Sequence, residues 1–258
     1  MAFQHFDVFV IGSGTAGKNV AKKCAAAGLK VAIADNREFG GTCSNRGCDP
    51  KKVLLGVTEI LYKASKLNNK GITKLPEVSW EDAMEWKETF VDAVPAATEK
   101  DLEKRGIIMY HQSPVFLDKN TLSVEGKTIT ADKIVIATGQ VPMELKIPGR
   151  GHALISDDFL NLEKLPKTMI FIGAGYIGME FAHIAARFGV KVTVMEFLLR
   201  PLINFDEDIV EHLQKASEEL GIEFIFNAEV IEIEKLQKNF RVKALQNGKE
   251  ISAKAELV

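Results

Sequence analysis

Two segments of the chain repeat one glycine pattern at a constant separation, and this repeat constrains the fold more than any other feature. The first reads VFVIGSGTAGKNVAKKCAAAGLKVAIAD from residue 8, and the second reads IFIGAGYIGMEFAHIAARFGVKVTVME from residue 170. Five positions recur with the same offset, as Gly12 and Gly173, Gly14 and Gly175, Gly17 and Gly178, Gly28 and Gly189, and Asp35 and Glu196. An interval that holds without a gap indicates an internal duplication.

Each copy has the pattern of a strand, a glycine turn, a helix and a second strand. The short apolar runs VFVI and MIFI are typical of buried parallel strands. Gly28 and Gly189 stand where the helices are expected to end. The second strands, KVAIAD and KVTVME, each end on an acid, which stands at the same distance from the first glycine in both copies. The duplication predicts an α/β fold with two Rossmann-like dinucleotide-binding domains.

The glycine pattern is the one that binds the pyrophosphate of a dinucleotide. The first glycine permits a tight turn, the second lets backbone N–H groups approach the phosphates, and the third lets helix and strand pack closely. The helix presents its positive end to the phosphates, and the acid bonds a ribose hydroxyl. A single motif is weak evidence, because ordinary α/β units also contain glycine-rich turns. Two complete copies predict two dinucleotide sites.

The repeat continues beyond each unit into a hairpin and a return strand. VEGKTITADKIVIATG follows the first unit with a turn at Gly126, and QNGKEISAKAELV follows the second with a turn at Asn247. The chain stops at Val258, where Val135 stands in the first copy. We therefore expect the second domain to be incomplete and the chain to be part of a longer protein.

A Pro- and Gly-rich stretch, residues 141–168, separates the two copies, and we place the domain boundary within it. The predicted domains are residues 1–151 and residues 152–258. Between residues 79 and 105, apolar residues at helical spacing predict a long helix that bends near Pro95. This helix and the segment with two of the cysteines belong to the first domain and have no counterpart in the second.

The composition excludes several classes of partner. A net charge of −2 gives no basic excess for nucleic acid or an anionic membrane. No apolar run approaches the roughly 20 residues of a membrane span. The N-terminal sequence has no signal-peptide pattern, so the three cysteines do not indicate a secreted disulfide scaffold. We expect a cytoplasmic protein, in a compartment where a disulfide is more often catalytic than structural.

The segment GGTCSNRGCDPKK, residues 40–52, contains Cys43 and Cys48 with four residues between them. This is not the spacing of a zinc ribbon or of a thioredoxin motif, and structural thiols, metal ligands and a redox pair all remain open. A metal site is disfavoured, because no further Cys or His cluster completes four ligands. Cys24, among alanines on the first helix, is expected to be a buried small apolar residue.

A disulfide between Cys43 and Cys48 requires an irregular backbone. Five residues of regular helix rise about 7.5 Å, whereas the Cα atoms of a disulfide lie roughly 4.4–6.8 Å apart. Gly47 and Pro50 suit a break, since Gly tolerates unusual φ and Pro favours a first helical turn. A helix that begins near Pro50 would place its positive end by Cys48 and favour a thiolate there.

The chain resembles the flavoprotein pyridine nucleotide-disulfide oxidoreductases, a family that includes glutathione reductase, dihydrolipoamide dehydrogenase and mercuric reductase. GGTCSNRGCDPKK is similar to the family's GGTCxNxGCxPxK redox signature, and ATG at 137–139 and GAGYIGMEFA at 173–182 occur in the family's order and spacing. The resemblance covers essentially the whole chain. It implies a three-layer ββα fold of the FAD/NAD(P)-binding type and an FAD-dependent NAD(P)H:disulfide oxidoreductase.

The resemblance also implies roles for particular residues. Cys43 and Cys48 would form the redox disulfide, with Cys48 on the flavin side and Cys43 attacking the substrate. Lys52, or Lys51, would pair with Glu180 near the flavin. FAD would bind at Gly12, Gly14, Ala16, Gly17, Asp35, Asn36, Gly41, Thr42, Lys52, Ala137, Thr138 and Gly139. The nicotinamide dinucleotide would bind at Gly173, Gly175, Ile177, Gly178, Glu196 and Tyr176, whose ring would cover the nicotinamide pocket.

Four charged residues bear on details that the resemblance leaves open. Glu196 favours NAD over NADP, because a carboxylate bonds the 2′-hydroxyl and repels a 2′-phosphate, although Arg200 complicates this assignment. Asp49 stands where the family usually has an apolar residue, and it would disfavour a thiolate at Cys48 if it points inward. Arg46, which is also unusual, is a candidate to neutralise it.

The C-terminal part of the family's pattern is absent from this sequence. The family completes its FAD domain there and adds a dimerisation domain, so the resemblance implies a homodimer for the full-length protein and an inactive 258-residue chain. The substrate is left open among glutathione, lipoamide, another small disulfide and a metal ion. The alternative is a non-catalytic, truncated FAD/NAD-binding fragment.

Overall fold

The computed structural model describes residues 4–258, which form two compact units. The first unit runs to Lys52 and takes in Trp86–Val141, and the second consists of Val53–Glu85 and Pro142–Val258. Residues 53–85 thus pack with the second unit, whereas the sequence analysis groups them with the first domain. Compactness does not by itself assign a domain to a cofactor, so the domains 1–151 and 152–258 stay predictions.

A six-stranded sheet forms the centre of the first unit. Its strands are β1 (Gln4–Ile11), β2 (Val31–Ala34), β3 (Ile108–Tyr110), β4 (Val115–Phe116), β5 (Thr121–Val124) and β6 (Lys127–Ile136). Their order is β3-β2-β1-β6-β5-β4, with β1 parallel to β2 and β6, and β2 parallel to β3. The last three strands pair antiparallel, and the β5–β6 turn at Gly126 confirms the predicted hairpin.

Five helices belong wholly or partly to the first unit. They are α1 (Thr15–Ala26), α2 (Gly41–Arg46), α3 (Cys48–Lys66), α4 (Trp80–Val91) and α5 (Val94–Lys104). The predicted single helix between residues 79 and 105 is therefore two helices. The break lies before Pro95, which stands in the first turn of α5, because Pro cannot donate the backbone hydrogen bond of a helix interior.

Apolar residues cover both faces of the central strands of this sheet. All four residues of β2 are buried, which is typical of a parallel strand covered on both faces. One face packs against α1 and α5 through Val8, Val10, Ala21, Ile33, Phe39 and Leu102. The other contains Phe9, Tyr110, Leu122 and Ile129, with the Phe9 and Tyr110 rings stacked at 5.9 Å. β1 and β2 thus lie between two layers of apolar side chains.

The second unit repeats this arrangement in two smaller sheets. Its further elements are α6 (Ser156–Phe159), β7 (Thr168–Ile172), α7 (Tyr176–Arg187), β8 (Lys191–Met195), α8 (Glu207–Glu219), β9 (Glu223–Ile225), β10 (Ala228–Lys235), β11 (Phe240–Gln246) and β12 (Lys249–Ala255). β7, β8 and β9 are parallel, and β10, β11 and β12 are antiparallel. After β12, Leu257 bridges in parallel to Met169 of β7, as β6 pairs with β1.

Residues from α4 complete the core of the second unit. The Trp80 ring packs edge-on against Phe159 and Phe188, and its Nε1 donates to Leu162 O at 2.7 Å. The parallel strands at the centre of each unit, with their helices, confirm the predicted fold class, an α/β protein with two Rossmann-like units. None of the helices within residues 4–258 has the length and apolarity that a membrane crossing requires.

His183 links α7 to α8 as a neutral side chain. Its Nε2 lies 2.8 Å from Ser217 Oγ, and that hydroxyl donates its own hydrogen to Leu213 O at 2.7 Å. Nε2 therefore carries the proton and donates. Burial, and secondly the charge of Arg187, lowers the pKa of His183 from 6.5 to about 4. The histidine thus belongs to the packing between these two helices.

We expect the free energy of unfolding of the second unit to fall by about 1 kcal/mol or more between pH 7 and pH 5. The cause is that unfolded His183 gains a proton below its ordinary pKa of 6.5, whereas folded His183 does so only near 4. Trp86→Phe leaves Trp80 as the single tryptophan of the two, so that its fluorescence monitors the second unit. His183→Gln keeps a donor and cannot titrate, and an undiminished pH slope in that variant would contradict the assignment.

Candidate functional site

Close backbone contacts require glycine in the first glycine loop. Gly12 has φ +105°, and a Cβ there would lie 2.2 Å from Ala137 O, just after β6. A Cβ on Gly17 would lie 1.8 Å from Gly12 O. No other side chain fits at these two positions, so the turn and the packing of α1 on β1 depend on glycine.

The second glycine loop repeats this geometry. Gly173 has φ +99°, and a Cβ on Gly178 would lie 2.4 Å from Gly173 O. Gly14 and Gly175, the middle glycines, both precede a helix in an extended conformation, with φ −66° and −72°. The two loops are therefore equivalent in conformation as well as in sequence.

The N-termini of α1 and α7 are built differently from that of α8. Neither Gly14 nor Gly175 caps its helix with a side chain, and neither helix has an acid in its first turn. The side chain of Asp206 caps α8, whose first turn also carries two acids. The first N–H groups of α1 and α7 thus face outward without a side-chain acceptor or a nearby negative charge of their own helix. This arrangement suits an anionic ligand such as a pyrophosphate.

The acid that ends each second strand bonds its own glycine loop. Asp35 Oδ2 accepts from Ser13 N at 2.7 Å, and its Oδ1 accepts from Arg37 N at 3.0 Å. Glu196 Oε2 accepts from Ala174 N at 2.5 Å, and its Oε1 accepts from Leu198 N at 2.9 Å. These donors stand at equivalent positions of the repeat, so the duplication extends to individual hydrogen bonds. Each carboxylate is fixed in place and keeps lone pairs for a ribose hydroxyl.

Ser13 is a functional candidate that the sequence analysis missed. Its side chain is completely buried, and its Oγ donates to Asp35 Oδ2 at 2.7 Å and accepts from Gly40 N at 3.2 Å. It thereby joins the glycine loop, the acid and the start of the cysteine segment. The available signal was a hydroxyl inside the glycine motif, at a position where the second copy has Ala174.

The cysteine segment packs directly against the first glycine loop. Gly41 has φ +76°, and a Cβ there would lie 2.3 Å from Gly14 Cα. Helix α2 begins at this contact and ends at Arg46, and Gly47 then breaks the helix with φ −145° and ψ −110°. The predicted irregularity between Cys43 and Cys48 is confirmed. The following helix begins at Cys48 itself and includes Pro50 in its first turn.

The thiols of Cys43 and Cys48 are within hydrogen-bond reach of each other. Cys43 is half-buried and Cys48 is exposed. The pKa of Cys43 is raised above its ordinary value, first by the hydrogen bond to Cys48, then by burial and by the negative charges of Cys48 and Asp49. The Cys48 backbone N–H also bonds Cys43 and acts in the opposite direction. The contact with Cys48 therefore favours the protonated form of the Cys43 thiol.

The two unusual charges beside the cysteines have separate surroundings. Arg46 forms an ion pair with Glu38, at 2.7 Å between Nη1 and Oε2, and its side chain is only 10% exposed. Asp49 is exposed, and its charge acts on the pKa of Cys43. The charge of Asp49 thus disfavours a thiolate at Cys43, one of the two thiols of the pair.

The second glycine loop borders a cavity of about 160 Å³. It is lined by Glu196 and residues 174–176 and, from the loop after β8, by Leu198, Arg200 and residues 202–205. Tyr176 and Ile177 stand in the first turn of α7 and are 58% and 43% exposed. The cavity is therefore flanked by an uncapped helix, a fixed carboxylate and an exposed aromatic ring.

The remaining predicted residues lie near the first loop or at the edge of their unit. Ala16 is exposed in the first turn of α1, and Asn36 and Thr42 are exposed beside Asp35 and Gly41. Thr138 and Gly139 follow β6 and are exposed. Lys51 and Lys52 belong to the first unit and Glu180 to the second, so their pairing stays a prediction.

One group of potential metal ligands occurs within residues 4–258, at the start of β1 and on β6. His5, Asp7 and Asp132 offer ligand atoms that lie within 4.8 Å of one another. Two of the three are exposed, and His5 Nδ1 and Asp7 Oδ2 already bond Thr130 Oγ1 and Lys30 N. The group is separate from the glycine loop, which follows the other end of β1.

Residues 6–258 match the family model described as pyridine nucleotide-disulphide oxidoreductase. The chain therefore belongs to the class I pyridine nucleotide-disulfide oxidoreductase family. Dihydrolipoyl dehydrogenases and glutathione reductases of this family use FAD and NAD(P), and the fold of the first unit fits FAD binding. The family and the two cofactor classes predicted from the sequence are confirmed.

Individual relatives show how much of the family's length this chain contains. Dihydrolipoyl dehydrogenase 3 of Haloarcula marismortui is 34% identical over 231 residues, which cover 85% of this chain and 48% of the relative. Glutathione reductase of Nostoc sp. is 34% identical over 239 residues, with coverages of 92% and 52%. The Cu(II) complex of a mutant of the HOCl-induced flavoprotein disulfide reductase RclA from Escherichia coli superimposes with a TM-score of 0.82 at 27% identity, covering 99% of this chain and 56% of that one. The chain spans about half the length of the curated relatives it matches.

We expect Ser13→Ala to accelerate hydrogen exchange at the Gly40 amide by about ten- to a hundredfold. The substitution leaves that buried N–H without its acceptor, a loss of roughly 1–3 kcal/mol. Ala174→Ser is the matched control, because it introduces the hydroxyl at the equivalent position of the second loop. There the residue equivalent to Gly40 is Pro201, which has no N–H for the hydroxyl to accept. Unchanged exchange at Gly40 in Ser13→Ala would show that this hydroxyl does not hold the cysteine segment.

We expect Asp49→Asn to lower the pKa of Cys43, because one of the negative charges that raise it is removed. Cys48→Ala should lower it further by removing the largest cause, the hydrogen bond. The measurement is the pH midpoint of Cys43 alkylation in the reduced chain, followed on its peptide by mass spectrometry. Asp92→Asn, an exposed acid of α4's C-terminal end, is the control, and an equal shift there would refute a local effect.

Proposed function

We propose that the chain carries the cofactor-binding half of an FAD-dependent NAD(P)H:disulfide oxidoreductase, with Cys43 and Cys48 as its redox pair. The observation that carries the proposal is the position of the two hydrogen-bonded thiols. They directly follow Gly41, whose backbone packs against Gly14 of a dinucleotide-type loop. A thiol pair beside such a loop is what electron transfer from a bound flavin to a disulfide requires.

We assign FAD to the first unit. The uncapped N-terminus of α1 suits the pyrophosphate, and Asp35 suits the adenosine ribose, because it is fixed by Ser13 and keeps acceptor capacity. The glycines at 12, 14, 17 and 41 permit close approach of the ligand and of neighbouring backbone. The other proposed FAD-binding residues are Ala16, Asn36, Thr42, Lys52, Ala137, Thr138 and Gly139.

We assign the nicotinamide dinucleotide to the second unit, with NADH preferred over NADPH. Glu196 is held at the cavity by two backbone N–H groups and would place a negative charge where NADPH carries its 2′-phosphate. Tyr176, exposed at the start of α7, is proposed to cover the nicotinamide pocket. The further proposed contacts are Gly173, Gly175, Ile177 and Gly178.

The thiols divide the chemistry between them. When bound, FAD supplies a two-electron relay from the reduced nicotinamide to the Cys43–Cys48 disulfide. Reduction adds two electrons and one proton, which the hydrogen bond to Cys48 retains on Cys43. Cys43, once it has lost this proton, attacks the substrate disulfide and releases one thiol. Cys48 then attacks the Cys43 sulfur, releases the second product as a thiolate that takes a proton from water, and restores the disulfide.

The proposal extends to the partners of the full-length protein. The names of the relatives favour a small disulfide substrate of the glutathione or lipoamide kind. We also propose that the full-length protein is a cytoplasmic homodimer and that Lys52 or Lys51 pairs with Glu180 near the flavin.

We expect NADH to expose two thiols in the oxidised, FAD-loaded chain under anaerobic conditions. Oxidised chain should show one thiol, Cys24, and NADH should raise the count to the three cysteines present. NADPH should require a higher concentration for the same effect. Thiols are counted with a chromogenic disulfide reagent, and Cys24→Ser, which removes only the background thiol, is the control.

In Cys48→Ser, NADH should expose no additional thiol, because no internal disulfide forms. If the unsubstituted chain binds FAD and NADH but its thiol count stays constant, the redox proposal fails. That result would favour the non-catalytic nucleotide-binding fragment.

A further inference from the structure

The guanidinium of Arg200 hydrogen-bonds four backbone carbonyls of the loop that lines the cavity of the second unit. Its Nη1 donates to Pro201 O at 3.4 Å and Leu202 O at 3.3 Å, and its Nη2 donates to Ile203 O at 3.1 Å and Phe205 O at 3.2 Å. The two Nη atoms carry four N–H groups. Each of these groups therefore has a backbone acceptor.

Apolar burial holds only the start of this loop, where Pro201 is buried and Leu202 packs against the core of the second unit. Leu199, Ile203 and Phe205 are exposed by 73%, 42% and 55%. Leu202 has φ +49°, a conformation that is strained for any residue with a Cβ, and its N–H donates to Ala174 O at 2.9 Å. A loop with exposed side chains and a strained residue needs polar contacts to stay in one conformation, and Arg200 provides four.

The equivalent loop of the first unit is held by other means. Phe39 aligns with Arg200 when the two copies of the repeat are matched, and it is completely buried, so an apolar anchor occupies the position of the arginine. Gly41 aligns with Leu202 in the same way and adopts φ +76° without strain. At these two positions the second unit has an arginine and a leucine instead, and the guanidinium adds hydrogen bonds where the first unit has a buried ring.

We infer that Arg200 is a positioning residue for the nicotinamide dinucleotide: it fixes residues 202–205, which line the cavity together with Glu196. The inference rests on the function proposed for the second unit. It also excludes Arg200 as the ligand of a 2′-phosphate. A bidentate grip on phosphate needs Nη N–H groups that the backbone carbonyls already use.

The test is direct titration of the 258-residue chain with NADH and with NADPH by calorimetry. Arg200→Leu removes the four bonds, and Arg200→Lys keeps the charge but replaces the planar fork with a point charge that cannot span four carbonyls. We expect both variants to raise the Kd of NADH at least about tenfold, through loss of a preformed wall. The ratio of the NADH and NADPH dissociation constants should change less than about threefold. Arg241→Leu, on β11 in an ion pair with Glu234, is the control and should leave both constants unchanged.

Amide hydrogen exchange gives a readout that does not need the ligand. Exchange at residues 202–205 should become at least about tenfold faster in Arg200→Leu, while Trp80 fluorescence confirms that the second unit is folded. Adding Leu202→Gly to Arg200→Leu should recover part of the NADH affinity. Glycine adopts the positive φ of residue 202 without strain, so the loop depends less on the hydrogen bonds of Arg200.

Three results would overturn the inference. They are an NADH Kd within about twofold of the unsubstituted chain in Arg200→Leu, unchanged amide exchange in that variant, and a selective loss of NADPH affinity with NADH binding intact, which would assign Arg200 to the 2′-phosphate. If the unsubstituted chain binds neither dinucleotide, the function proposed for the second unit fails. The exchange at residues 202–205 then decides alone whether Arg200 holds the loop.

Discussion

A carboxylate that accepts hydrogen bonds from the glycine loop is the contact on which both units depend. Asp35 and Glu196 each end a buried parallel strand and each bind the N–H of the residue after the loop's first glycine, Ser13 or Ala174. This hydrogen bond joins the C-terminal end of the second parallel strand to the glycine turn that follows the first parallel strand. It also orients the carboxylate before any ligand arrives, so that ordering the acid adds no cost to binding.

The first unit adds a second layer of contacts to this shared design. Ser13 extends the acid's hydrogen bonds to Gly40, and Gly41 then packs on Gly14 with no room for a side chain. The helix that carries Cys43 therefore starts from a point fixed by the dinucleotide loop. A change in the loop and a change in the thiol geometry are coupled through two glycines and one hydroxyl.

Features that depend on local pattern were predictable from the sequence. The repeat predicted the strands, the glycine turns and both hairpins, and the five-residue spacing of the cysteines predicted the helix break that Gly47 forms. The limits of prediction lie where distant residues meet. Apolar periodicity continues across residues 92 and 93 and hid the division of α4 from α5. Ser13 bonds Asp35 and Gly40, which are separated from it by 22 and 27 positions along the chain, and no local sequence pattern predicts these contacts.

The carbonyl contacts of Arg200 illustrate a different limit. An arginine four residues after Glu196 reads from sequence as a phosphate ligand, because its charge is visible and the carbonyls around it are not. Only the folded loop shows where its donors point. The grouping of residues 53–85 with the second unit has the same origin, since Trp80 finds its ring partners far along the chain, at Phe159 and Phe188.

Two loops of common origin are thus anchored by different physics, a buried phenyl ring at Phe39 and a hydrogen-bonded guanidinium at Arg200. Apolar anchoring weakens on cooling, whereas hydrogen bonds from a guanidinium to carbonyls do not depend on the hydrophobic effect. The two halves of the duplication therefore differ in their sensitivity to temperature. Divergence after duplication has given one chain two nucleotide-type loops that loosen under different conditions.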